Sequence, residues 1–128
     1  MTKYMLDTTV LIDHLRGRRQ VIELVTGLAR AGNELGVCSI GVAELYSGLR
    51  DKHRAVAAQL IDSLEYWEAT REAAKVAGSY RFGLARSGTA LTTTDALVAA
   101  IAREHGATLI TANTRHYPMT EIELLQQP

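Results

Sequence analysis

Short apolar runs rich in β-branched residues alternate along this chain with segments whose apolar residues recur at helical spacing. That alternation constrains the fold more than any other feature. Strands are read at 3–6, 35–40, 66–69, 108–111 and 122–125. Helices are read at 9–16, 20–31, 41–49, 54–64, 71–86 and 96–105. Strand–helix alternation calls for a mainly parallel sheet with helices packed on both faces. Right-handed crossovers then bring the C-terminal ends of the strands to one edge, where ligands bind in α/β sheets.

Several boundaries carry their own chemistry. Thr8 or Thr9 can cap the first helix, Thr70 the fifth and Thr94 the sixth, with Gly32 and Gly106 as stops. The run from Ala96 to Ala102 is apolar nearly all round, which marks a helix buried in the core.

Composition narrows the class. The chain has 128 residues, 47% of them apolar and 22% charged, with two prolines and no repeat. It reads as one globular domain spanning residues 1–128. Cys38, the only cysteine, lies in an apolar run and reads as a buried thiol. No apolar run is long enough to span a membrane, and the N-terminus lacks a signal-like pattern, so the expected location is cytoplasmic with no membrane partner. Net charge is zero, which argues against a general electrostatic grip on nucleic acid but leaves room for a local basic patch.

The acids are then sorted by address. Asp7 closes the first strand, Glu44 falls in the first turn of the helix after the second, and Asp95 opens the buried helix. Asn113 follows the fourth strand. These four share the sheet edge where ligands bind, whereas Asp13 reads as a solvated helix residue away from it. Converging carboxylates repel, and a divalent cation relieves the repulsion. Mg²⁺ or Mn²⁺ suits an all-oxygen set. Zinc does not, because the four histidines show no ligand spacing.

The stretches YMLDTTVLID, SIGVAELYSGL, TTTDALVAAIA and LITANTRHY occur in the order and approximate spacing of the PIN-domain ribonucleases. The chain most resembles the VapC toxins of type II toxin–antitoxin pairs. The resemblance implies a three-layer α/β/α sandwich, PIN-like, around a central sheet of about five strands. It also implies an Mg²⁺- or Mn²⁺-dependent endoribonuclease that leaves a 5′-phosphate and a 3′-hydroxyl.

Carried over residue by residue, the catalytic positions fall on Asp7, Glu44, Asp95 and Asn113. Asp7 and Asp95 would hold the metal, and Glu44 would position the metal or orient water. Thr9 and Thr111 would support the acids. Asn113 stands where an acid is common, which weakens any second metal site. The partners implied are an RNA substrate, a second copy of the chain and a VapB-like antitoxin. Arg16, Arg18, Arg19, Arg115 and His116 are candidate RNA contacts. The rival readings are a silent PIN-like binding module and a phosphoacceptor receiver domain. The receiver fold would want a lysine after the last strand, and no lysine follows Lys75.

Overall fold

A computed structural model describes all 128 residues. Its strands are β1 (Lys3–Leu6), β2 (Glu34–Cys38), β3 (Glu65–Trp67), β4 (Thr108–Thr111) and β5 (Leu124–Gln126). They form one sheet in the order β3-β2-β1-β4-β5, with every neighbouring pair parallel. The helices are α1 (Thr8–Leu15), α2 (Arg19–Arg30), α3 (Ser39–Ser47), α4 (Arg54–Asp62), α5 (Arg71–Arg86) and α6 (Thr93–Glu104). Short 3-10 turns cover Asp51–His53 and Thr114–His116.

The strand sequences divide the core into two layers, because successive side chains leave opposite faces of a strand. Met5, Cys38 and Leu109 join α5 and α6 on one face. Leu6, Val37 and Ile110, each one residue away, join apolar residues of α1, α2, α3 and α4 on the other. The expected α/β/α sandwich is therefore present. α6 is buried as its composition demands, with Ala96 and the whole run from Val98 to Ala102 inside.

Strand order places the site. From β1 the chain moves outward to β2 and β3, then returns across the sheet to β4 and β5 on the other side. β1 and β4 are neighbours whose onward connections diverge, so a crevice opens between their C-terminal ends.

Local chemistry moves several boundaries from their expected places. Asp7, rather than either threonine, caps α1: its backbone is extended and its carboxylate accepts the Thr8 N–H. Thr92, two residues before Thr94, caps α6 by accepting the Asp95 N–H. β2 stops at Cys38, whose sulfur accepts the Gly41 N–H, so α3 begins at Ser39. Glu44 consequently lies in the second turn of α3 instead of the first. The last strand starts at Leu124, and Ile122 turns into the core ahead of it. Thr70 caps α5 as expected, and Cys38 is buried. Gly32 and Gly106, just past α2 and α6, take positive φ and let the chain reverse into the next strand. No helix is long and apolar enough to cross a membrane.

Candidate active site at the strand ends

Asp7 is bound into the end of the sheet by both its backbone and its side chain. Its N–H donates to the Ile110 carbonyl (3.0 Å), which locks β1 to β4 at the last residue of pairing. Its Oδ1 accepts the Thr8 N–H (2.9 Å), and its Oδ2 accepts the Thr111 hydroxyl (2.7 Å). A carboxylate only 7% exposed needs such donors, since an unpaired buried charge is very costly. Thr111 is fully buried, and its oxygen also accepts the Asn113 N–H (3.0 Å). Thr9 Oγ1 accepts the Ala112 N–H (3.2 Å). The two threonines thus tie the β4 exit to the start of α1, and Asn113 is left exposed at the rim.

The other two acids reach the same crevice from α3 and α6. Glu44 is exposed, and its Oε1 accepts the Thr8 hydroxyl (3.1 Å). Asp95 sits in the first turn of α6, where the helix dipole favours an anion. His116 Nδ1 stands 3.6 Å from Asp95 Oδ2. A cleft of about 290 Å³ gathers Asp7, Glu44, Asp95 and Asn113, with Thr9 and His116 on its wall. The four positions grouped by address in the sequence do meet.

Tyr117 also lines this cleft, and sequence reasoning missed it. Its hydroxyl lies 3.3 Å from Asp7 Oδ2 and 3.4 Å from Asp95 Oδ1, joining the first and third acids. Burial, together with the two neighbouring carboxylates, holds its proton on far above the usual tyrosine range. The tyrosine follows a polar turn with no periodic pattern, so only the path of the chain after β4 shows where it points.

The basic candidates separate into two groups. Arg18 is committed: it donates to Asp13 Oδ2 (2.8 Å) and to the Pro128 carbonyl (3.2 Å). Asp13 accepts the Gln127 side-chain amide as well (2.7 Å), so it is a tether for the C-terminus rather than a solvated residue. Arg16, Arg19 and Arg115 are exposed. A larger hollow, about 780 Å³, lies around Asn33, Glu34 and Glu65 at the opposite, N-terminal edge of the sheet. It holds none of the four candidate catalytic residues and faces away from the crevice.

The donor set fits a hard divalent cation. No three His, Cys, Asp or Glu side chains are grouped so that together they could hold a metal ion. Mg²⁺ requires no such group, because it binds through one or two carboxylates and keeps several waters. Asp7 and Asp95 flank one hydroxyl in a cleft lined mainly by carboxylate and hydroxyl oxygens, and these two could hold such an ion.

Comparisons with known proteins agree with this architecture. The PIN domain family matches residues 4–121. Ribonuclease VapC19 of Mycobacterium tuberculosis is 30% identical over 115 residues, covering 90% of this chain and 92% of that protein. The crystal structure of DNA-bound VapBC from Salmonella typhimurium contains a chain with a TM-score of 0.87 and 26% identity, each chain fully covered. A chain in the Rickettsia felis VapBC2 structure, bound to a promoter DNA fragment, reaches 0.89 at 22% identity, covering 99% of this chain and all of that one.

Proposed function

The chain belongs to the PIN-domain family, among its VapC proteins, and on that footing we propose that it is a divalent-metal-dependent endoribonuclease, the toxin of a toxin–antitoxin pair. The observation that carries the proposal is the meeting of Asp7, Glu44, Asp95 and Asn113 in one cleft at the switch point of the sheet. The ribonuclease named among its relatives supports the choice of substrate.

In this reading Asp7 and Asp95 hold Mg²⁺ or Mn²⁺. A cation bound there would lower the pKa of a coordinated water and offset negative charge building on a phosphate. Thr8 and Thr111 fix the Asp7 carboxylate, so its oxygens keep one orientation while substrate enters. Glu44, steadied by the Thr8 hydroxyl, orients the attacking water from the open side of the cleft. Asn113 adds a neutral polar contact at the rim, where a fourth negative charge would repel the RNA backbone. Thr9 and Thr111 hold the loop that carries it. The bond from phosphorus to the 3′ oxygen breaks, leaving a 5′-phosphate and a 3′-hydroxyl.

Exposed Arg16, Arg19 and Arg115, with His116 on the cleft wall, would receive the flanking phosphates, which position a strand without selecting its sequence. Arg18 contributes less, being held by Asp13. The VapBC neighbours support a VapB-like antitoxin as inhibitor. An arginine from that partner would suit the acidic cleft. We also propose that the active protein is a homodimer.

The test is cleavage of single-stranded RNA by the purified protein with Mg²⁺ or Mn²⁺, against an EDTA control. Asp7→Asn should lose roughly 10²-fold or more in rate, the scale for one charge-stabilising group, while retaining its circular dichroism spectrum. Full-rate cleavage by the variant, or cleavage undiminished by EDTA, overturns the proposal. A folded wild type that binds RNA without cutting it would favour the silent binding module.

A further inference from the structure

Tyr117 presents a single proton to two acids. Its hydroxyl is within hydrogen-bond reach of both Asp7 Oδ2 and Asp95 Oδ1. Its ring is 3% exposed and packs in the same core cluster as Met119 and Ile122, so the hydroxyl is fixed at the cleft instead of swinging into solvent. We propose that the Tyr117 hydroxyl lowers the affinity of this site for divalent cations, by donating to the same two carboxylates that a cation would draw on. The inference rests on the reading of Asp7 and Asp95 as the cation-holding pair and specifies how that pair is tuned.

Two opposing effects decide the sign. A hydroxyl that positioned the carboxylates would help a cation bind, because preorganised ligands need less rearrangement. A donor with its positive end towards the carboxylates does the reverse, because it already satisfies part of the charge and repels an incoming cation. At Asp7 the distances favour the second effect. Asp7 is positioned by two shorter bonds, from Thr111 at 2.7 Å and the Thr8 N–H at 2.9 Å. The main chain of Asp95 is placed by a helix start that Thr92 caps at 3.1 Å, while its carboxylate oxygens meet Tyr117 at 3.4 Å and His116 at 3.6 Å. The Asp7 carboxylate does not depend on the longer Tyr117 contact for its place, so what the hydroxyl adds there is mainly charge compensation. His116, the other potential donor, stands 3.6 Å from the opposite oxygen of Asp95 and leaves Tyr117 alone between the two acids.

Tyr117→Phe keeps the buried ring and removes only the donor. Titration calorimetry with MnCl₂, repeated with MgCl₂, should give a Kd tighter than wild type by roughly three- to tenfold, a fraction of one charge-assisted hydrogen bond. Tyr117→Met, which fills much of the space without a donor, should shift affinity in the same direction. A role confined to packing predicts unchanged or weaker binding. An unchanged or weaker Kd in folded Tyr117→Phe overturns this inference while leaving the nuclease reading intact. Failure of the wild type to bind Mn²⁺ at all, matched by Asp7→Asn, overturns both.

Discussion

At the scale of single residues, the site is a carboxylate made tolerable by donors. Thr111 both donates to Asp7 and accepts from the Asn113 N–H, from a fully buried position. Thr111→Val keeps the shape and strips both bonds, leaving a buried carboxylate short of a donor. It should cost about 1–3 kcal/mol, read as a lower denaturant midpoint with an unchanged slope, and cleavage should fall with it. Tyr117 gives a pH-dependent counterpart. Its folded-state pKa lies above the unfolded value, so between the two the unfolded chain has released a proton that the native protein retains. Stability conferred by the neutral hydroxyl is therefore present below about pH 10 and declines as pH rises past it. In EDTA, the melting temperature of wild type should drop more steeply above pH 10 than that of Tyr117→Phe. Parallel profiles would contradict this account. The acids were legible in the sequence because each closes a recognisable strand or lies in the opening turns of a recognisable helix. Tyr117 was not, because its partners are 110 and 22 residues away along the chain.

Elements show where local pattern and tertiary contact trade authority. α5 and β4 follow their sequence signals to the residue, since Thr70 is the only good cap near its helix and Gly106 isolates the strand. α1 and α6 do not, because runs of threonine and aspartate offer several caps and the backbone entering from the sheet selects one. β2 contains a constraint that no local rule shows. A Cβ added to Gly36 would meet the Trp67 ring at 2.5 Å, across the β2–β3 pairing. Trp67 has little freedom to retreat, for its ring also stacks on His105 at 4.5 Å. Gly36→Ala should destabilise by about 1–3 kcal/mol through overpacking. In a double-mutant cycle with Trp67→Leu, the pair should cost less than the sum of the singles. Strict additivity would show that the contact is not the cause.

On the scale of the whole molecule, a chain of zero net charge gathers Asp7, Glu44 and Asp95 at one edge of its sheet. Binding there should be visible as global stability, because a ligand that prefers the native state stabilises it by mass action. Mn²⁺ at ten times its Kd should add about 1.4 kcal/mol, a rise of several degrees in melting temperature that Asp7→Asn abolishes. An equal rise in that variant would place the ion elsewhere. The sequence by itself determined the architecture and the identity of the four convergent positions. Apolar periodicity is a local property, and right-handed crossovers turn it into a sheet with one chemically special edge. Only the tertiary structure decided the strand order that opens the crevice between β1 and β4. It likewise decided that Arg18 and Asp13 serve the C-terminus, and that a tyrosine hydroxyl stands between two of the acids. These are distances between residues far apart in the chain, set by how two helical layers pack on the sheet, and no local pattern encodes them.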